Sequence, residues 1–122
     1  MNYLSYEILE YRDIPNPLAK KILEEYIEKI SSKDIVPELI RVTHEYLTSN
    51  TKCDVDKSEK LYNELKTFNL KELTISLIIN LLPKTIDELK FVVATFEERV
   101  PDEEILNRIL ELVSQYCQTE NV

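Results

Sequence analysis

The amino-acid sequence predicts an all-α protein of six helices, preceded by an extended N-terminal segment. Three observations lead to this fold class: the 122-residue chain has no glycine, apolar residues recur at helical spacing, and proline or asparagine separates the repeats. Tight β-hairpin turns need positive φ angles, which glycine adopts most easily, so a glycine-free chain disfavours them. Apolar residues at helical spacing indicate helices that each bury one face.

The stretch 80–91 predicts the end of a buried helix followed directly by a new helix. Pro83 has no backbone N–H and its ring crowds the preceding turn, so the most apolar helix should end by Leu82. Thr85 and Glu88 have the spacing of a capping box, which predicts a new helix start at Thr85. The other helices are expected to pack around this turn.

The remaining helix boundaries follow from residues that favour helix ends. Asn16 is expected to cap the first helix, with Pro17 at its first position, and Pro37 should lie in the first turn of the second. Asp54 is expected to cap the third helix and Asn69 the fourth. The inward-facing residues predicted for the first two helices are Leu18, Ala19, Ile22, Leu23, Tyr26, Ile27, Ile30, Ile35, Val36, Leu39, Ile40, Thr43, Tyr46 and Leu47. Those predicted for the later helices are Leu61, Tyr62, Leu65, Phe68, Ile86, Leu89, Val92, Val93, Phe96, Ile105, Leu106, Ile109, Leu110, Val113 and Tyr116.

Residues 3–11 differ from the rest of the chain. Apolar and polar residues alternate through Leu4, Tyr6 and Ile8, which predicts a strand, and a bulge would accommodate the change of phase at Leu9 and Tyr11. No second strand is predicted downstream, and a lone strand leaves its backbone N–H and C=O groups unpaired. The segment is therefore expected to join the β-sheet of a partner. The alternative is an amphipathic first helix or a frayed tail.

Composition predicts one soluble cytoplasmic domain. The chain carries 23 acidic and 15 basic residues, a net charge of −8, whereas proteins that bind nucleic acid through phosphates usually present a basic face. No apolar run approaches the roughly 20 residues of a membrane-spanning helix, and the N-terminus lacks the pattern of a signal peptide. Without glycine, the sequence has no phosphate-binding loop or dinucleotide fingerprint. No cofactor is therefore expected.

The sequence predicts neither a catalytic site nor a metal site. His44 is the only histidine, and a general base would need a nucleophile and an orienting group beside it, so a structural role is the preferred interpretation. Cys53 and Cys117 cannot supply the four ligands of a zinc site even with His44. Because disulfides are rare in cytoplasmic proteins, the two cysteines are expected to be buried thiols.

The charged and aromatic clusters also favour protein contacts over chemistry. Acidic pairs and triplets lack the spacing of a calcium loop and are interpreted as solvated faces or as complements to helix dipoles. Tyr3, Tyr6 and Tyr11 cluster near the N-terminus, where aromatic rings with polar tips suit protein interfaces. Stacking on RNA bases or simple packing at the edge of the fold are the alternatives.

The order of several short motifs resembles a family of archaeal DNA-directed RNA polymerase subunits, the counterparts of the fourth subunit of eukaryotic polymerase II. The resemblance covers nearly the whole chain. It rests on Ile14-Pro15-x-x-Leu18-Ala19-Lys20-Lys21-Ile22-Leu23, Thr43-His-Glu45-Tyr46-Leu47, Lys52-Cys53-Asp54, Lys60-Leu61-x-x-Glu64-Leu65, Asn80-Leu-Leu-Pro83-x-Thr85-x-Asp87-Glu88-Leu89 and Ile109-Leu-Glu-Leu-Val113-x-x-Tyr116. His44 departs from the aromatic residue expected at its position.

This resemblance implies an HRDC-like helical region over residues 53–118, followed by a tail at 119–122. It also implies that residues 1–52 dock onto a second RNA polymerase subunit, which carries an OB-fold and which we call the OB-fold stalk subunit. The heterodimer of the two would form the polymerase stalk.

The stalk would assist open-complex formation and handle nascent RNA, with the RNA contacts lying mainly on the OB-fold stalk subunit. The residues expected to bind this partner are Tyr3, Leu4, Tyr6, Ile8, Leu9, Tyr11, Leu18, Ala19 and Ile22. A free-standing HRDC-like module that binds nucleic acid is the alternative function.

Overall fold

A computed structural model describes residues 11–31 and 36–117, and within these ranges the protein is all-helical. The helices are α1 (Asn16–Ser31), α2 (Glu38–Asn50), α3 (Val55–Leu65), α4 (Glu72–Leu81), α5 (Ile86–Phe96) and α6 (Glu103–Cys117), with a short 3-10 turn at Lys66–Phe68. The predicted all-α class of six helices is confirmed. The strand predicted over residues 3–11 lies, except for Tyr11, outside the described residues.

Helices α3 to α6 form a bundle around a single core. α3 packs against α4 and α6, and α5 also packs against both α4 and α6, so each helix has two neighbours. The buried core consists of Cys53, Leu61, Tyr62, Leu65, Ile75, Ile78, Ile79, Leu82, Leu89, Val92, Val93, Leu106, Ile109, Leu112, Val113 and Cys117. α1 and α2 form a separate hairpin, which contacts the bundle through α1 against α3 and α4.

Helix α4 lies at the centre of the bundle, as the apolar sequence before Pro83 predicts. Ile75, Ile78 and Ile79 are fully buried. α4 ends at Leu81, and Leu82 adopts a left-handed conformation with φ 49° while its N–H donates to the Ile78 carbonyl. The predicted end of this helix before Pro83 is therefore confirmed.

The capping box of α5 is also present. The Thr85 hydroxyl accepts a hydrogen bond from the Glu88 amide at 3.1 Å, and the Glu88 carboxylate accepts from the Thr85 amide at 3.3 Å. Each interaction satisfies a backbone N–H that has no partner inside the helix. The chain can thus reverse direction within a few residues and return α5 onto α4.

The structure changes two of the predicted caps and confirms a third. Asp54 caps α3 by accepting from the Lys57 amide at 3.3 Å. Asn69 does not cap α4; it has φ 61° and ends the preceding 3-10 turn, because asparagine tolerates the left-handed region better than most residues. Asn16 is the first residue of α1 rather than its cap.

Some predicted inward-facing residues of the bundle lie at the surface. Phe96 and Ile105 are exposed, whereas Leu112, which the predicted face of α6 omits, is buried. Each of these residues lies near an edge of its apolar stripe. Periodicity locates the centre of such a stripe better than it locates the edges.

Glu97, just after α5, supplies the cap that α4 lacks in its own sequence. Its carboxylate accepts from the Lys71 amide at 2.8 Å and from the Thr74 hydroxyl at 2.6 Å. Lys71 occupies the N-cap position and offers no capping side chain. A negative group at the N-terminus of a helix also complements the helix dipole. Glu97 thereby fastens the end of α5 to the start of α4.

We expect Glu97→Ala to lower the free energy of unfolding by about 1–2 kcal/mol, because an amide and a buried hydroxyl lose their acceptor. Urea denaturation measures the change. Glu98→Ala is the matched control, since Glu98 is an exposed neighbour with the same charge, and it should change stability by less than about 0.5 kcal/mol. Equal effects of the two substitutions would contradict the capping role of Glu97.

Cys53 and Cys117 form a disulfide bond, so the prediction of two buried thiols is wrong as to their bonding. Both residues are buried, as expected. Cys53 lies just before α3 and Cys117 is the last residue of α6, and these two helices pack together in opposite directions. This pairing brings residues separated by 64 positions to a Cα–Cα distance of 5.1 Å. The general scarcity of cytoplasmic disulfides conceals this local geometry at the level of sequence.

Candidate protein-interaction site

The α1–α2 hairpin is held together by apolar side chains and by one polar contact between its helices. Leu47 is buried, and the inner face includes the half-buried residues Leu23, Ile27, Ile30, Val36 and Ile40. His44 Nε2 lies 2.8 Å from the Glu24 carboxylate, which joins α2 to α1. This contact accounts for the only histidine of the chain as a structural residue of the hairpin.

Both helices of the hairpin expose large apolar side chains at helical spacing. On α2, Leu39 is 77% exposed and Tyr46 is 59% exposed, with Val42 between them. On α1, Ile22 is 58% exposed and Tyr26 lies one turn further along. Residues three or four apart share one face of a helix, so each helix presents a continuous apolar stripe to solvent. We call these two stripes the hairpin surface.

The hairpin surface corrects the predicted orientation of α2. The sequence predicts that Leu39, Thr43 and Tyr46 face inward, but all three are exposed. Apolar residues on α2 cover more of its circumference than α1 alone can bury. That excess width is the signal in the sequence that a second surface packs against this helix.

The same correction applies to α1. Ile22 and Tyr26 are predicted to face inward, yet both are exposed, because the stripe on α1 is wider than the surface that α2, α3 and α4 cover. Ile35, the other predicted inward residue near the turn of the hairpin, lies outside the described residues.

The residues predicted to bind a partner are distributed unevenly. Tyr11 is 83% exposed and Ile22 belongs to the hairpin surface. Leu18 instead packs against the core of the bundle and Ala19 is half-buried. The residues of this set that lie outside the described ranges are Tyr3, Leu4, Tyr6, Ile8 and Leu9.

Three residues of the hairpin surface are missing from the predicted partner-binding set. They are Leu39, Val42 and Tyr46, all on α2. Leu39 and Tyr46 are absent because the sequence pattern assigns them to the hairpin interior. Their exposure identifies α2 as part of the candidate site.

Charged residues flank the apolar stripe on α2. The Arg41 guanidinium donates to the Glu38 carboxylate and, at 2.9 Å, to that of Glu45. Hydrogen bonding to Arg41 lowers the pKa of Glu38. An apolar centre with a charged, hydrated margin is the usual composition of a protein–protein interface.

A cleft of about 400 Å³ lies beside the hairpin, between α1, α3 and residues 12–14. Its walls carry both signs of charge, with Arg12, Lys21 and Lys66 near Glu25 and Glu59. Such a mixture offers no concentrated positive field for a phosphate backbone.

The hairpin helices have two apolar faces, and only one of them is used within the chain. The inner face packs in the hairpin, whereas Leu39, Val42 and Tyr46 turn toward solvent. A contiguous exposed apolar face of this kind has the properties of a contact surface for another protein.

Two searches over the described ranges return nothing. Among residues 11–31 and 36–117, no group of three or more His, Cys, Asp or Glu side chains is placed to hold a metal ion. None of the helices in these same ranges combines the length and the apolar character needed to cross a membrane.

Comparisons with known proteins agree with a role in protein contact. Residues 16–117 match the sequence model of the family described as RNA polymerase Rpb4. The chain is 28% identical over 119 residues to the DNA-directed RNA polymerase subunit Rpo4 of Sulfolobus acidocaldarius, covering 98% of this chain and 100% of the relative. It is 26% identical over 115 residues to Rpo4 of Saccharolobus solfataricus, covering 94% and 98%. The chain belongs to the RNA polymerase Rpb4 family.

Proposed function

We propose that this chain is a non-catalytic, cytoplasmic subunit of DNA-directed RNA polymerase that forms a stalk heterodimer with the OB-fold stalk subunit. In this role it assists initiation and open-complex formation, and it handles nascent RNA only indirectly, through its partner. Its contacts with that partner are assigned to the N-terminal segment and the hairpin surface. The RNA polymerase core is the larger assembly on which the heterodimer acts.

The observation that carries the proposal is the apolar surface of a hairpin attached to an otherwise complete bundle. The bundle buries its own core, whereas Leu39, Tyr46 and Ile22 remain in water. Exposed apolar residues arranged as a continuous face indicate a site of protein contact. Membership of a polymerase subunit family indicates the class of partner.

The N-terminal segment adds a second element to the proposed interface. Tyr11, the first described residue, is 83% exposed, and the alternating residues before it have the sequence pattern of a strand. Strand addition to a partner's sheet would pair the backbone groups of this segment and give its alternate side chains separate contacts. The segment and the hairpin surface adjoin in sequence, so one partner can engage both.

The test is binding of the purified OB-fold stalk subunit encoded by the same genome, measured by isothermal titration calorimetry. We expect the double substitution Leu39→Ala and Tyr46→Ala to weaken binding roughly 30-fold or more, because buried aromatic and apolar anchors dominate interface energies. Alanine favours helix, so α2 should remain folded. Phe91→Ala is the matched control, since Phe91 is a 77% exposed aromatic residue on α5 of the bundle. Equal affinity of the hairpin variant and this control would contradict the role of the hairpin surface.

A truncation of residues 1–10 tests the strand separately. It ends before Arg12, because Arg12 contacts the bundle. We expect it to weaken binding while the helical circular dichroism signal is retained. Failure of the unaltered chain to bind the OB-fold stalk subunit, together with salt-sensitive binding of single-stranded RNA, would instead favour the free-standing nucleic-acid-binding module.

A further inference from the structure

The first turn of α1 has a complete set of hydrogen bonds, and one of them comes from the bundle. The first N–H groups of a helix have no acceptor inside the helix. The Pro15 carbonyl accepts from the amides of Leu18 and Ala19 at 3.1 and 3.0 Å, and Pro17 has no N–H to satisfy. The remaining amide, that of Asn16, donates to the Asn80 side-chain oxygen at 2.7 Å. The end of α4 thus completes the start of α1.

A second set of contacts fixes the chain just before α1. The Arg12 guanidinium donates to the Glu72 carboxylate of α4 at 3.0 Å and to the Tyr62 hydroxyl of α3 at 3.4 Å. The Tyr62 hydroxyl in turn donates to the Asp13 carbonyl at 3.5 Å. Burial raises the pKa of Tyr62, so this donor keeps its proton at neutral pH. Residues 12 and 13 are thereby held against both α3 and α4.

These contacts lie at the base of the hairpin, where they control its direction. α2 packs chiefly against α1, and α1 joins the bundle near its own first turn, where Pro15 and Pro17 are buried. A hydrogen bond is directional, whereas apolar packing permits sliding. A change of angle at residue 16 would be amplified along α1 and would displace the hairpin surface.

We propose that Asn80 is a positioning residue which, together with Arg12, holds the α1–α2 hairpin at a fixed angle to the bundle. The hairpin surface is then presented in the orientation in which the partner binds it, so less conformational freedom is lost on association. The effect on affinity rests on the proposed function. The effect on the joint itself does not depend on any partner.

The experiment compares Asn80→Leu with Asn80→Asp. Leucine has a similar size but no acceptor, whereas aspartate keeps an oxygen for the Asn16 amide and adds a charge that suits a helix N-terminus. Amide hydrogen exchange followed by NMR reads out the joint directly. We expect Asn80→Leu to speed exchange at Asn16, Leu18 and Ala19 on the order of tenfold, the equivalent of one lost hydrogen bond. Exchange in α5 and α6 should be unchanged, and Asn80→Asp should restore protection.

The affinity for the OB-fold stalk subunit, measured on the same three proteins, tests the consequence. We expect roughly a three- to tenfold loss for Asn80→Leu and near-normal binding for Asn80→Asp. Unchanged exchange in Asn80→Leu would overturn the positioning role. Faster exchange with unchanged affinity would overturn the link to binding and leave the heterodimer standing. If the unaltered chain does not bind that partner, the proposed function fails and the link to binding fails with it, whereas the exchange data still judge the joint.

Discussion

Reduction of the Cys53–Cys117 disulfide is expected to lower the free energy of unfolding by about 4 kcal/mol. The bond closes a loop with a sequence separation of 64 residues, and a loop of this length removes much of the conformational entropy of the unfolded chain. Urea denaturation with and without a phosphine reductant measures the difference. Reduction removes no atoms from the core apart from the bond itself, so the comparison isolates the cross-link.

The double substitution Cys53→Ala and Cys117→Ala is the control for effects of the reductant. Its stability should be low in both conditions, and the reductant should not change it. Alkylation of the unaltered protein under denaturing conditions provides the chemical measurement, and it should find no free thiol among these two residues before reduction. Two alkylated cysteines, with identical urea curves in both conditions, would contradict the disulfide.

Ile79→Ala is expected to destabilise the bundle by about 3–4 kcal/mol. Ile79 is fully buried on α4, which packs against both α3 and α5, so its truncation leaves a cavity that several helices cannot close together. Urea denaturation under oxidising conditions measures the loss.

Leu81→Ala is the matched control for Ile79→Ala. Leu81 lies two positions further along the same helix, but 52% of it is exposed. Its truncation should cost less than about 1 kcal/mol, because little buried volume is removed. Similar losses for the two variants would show that α4 is not the centre of the core and would contradict its organising position.

Local signals make the helices predictable from the sequence. The end of α4 before Pro83, the capping box of Thr85 and Glu88, and the Asp54 cap each involve residues within a few positions of one another. Steric and hydrogen-bonding preferences of single residues decide such features. The helical class and the number of helices therefore follow from periodicity and punctuation alone.

The contacts that the sequence does not predict join residues distant along the chain. The disulfide spans 64 positions, Asn16 reaches Asn80 across 64, and the Glu97 carboxylate accepts from the Lys71 amide across 26. Each depends on which helices pack together and in which direction. Periodicity gives the buried face of a helix but does not identify its neighbour.

The candidate site is predicted only in part for a related reason. An apolar residue of α2 suits the hairpin interior and a partner's surface equally well, so the sequence pattern places Leu39 and Tyr46 inside. The structure separates the two faces because α1 covers only one of them. The N-terminal strand and its five residues before Tyr11 stay predictions, which the truncation of residues 1–10 tests.

The disulfide also determines how this protein would carry a mechanical load. A pulling force applied between the hairpin and the C-terminal tail would pass from Cys53 directly through the sulfur atoms to Cys117. The chain between these cysteines, whose stretched length would be roughly 200 Å, lies outside that path and bears no tension. Helices α3 to α6 could therefore keep their packing while the segments on either side are stretched, and the covalent bond would limit the extension.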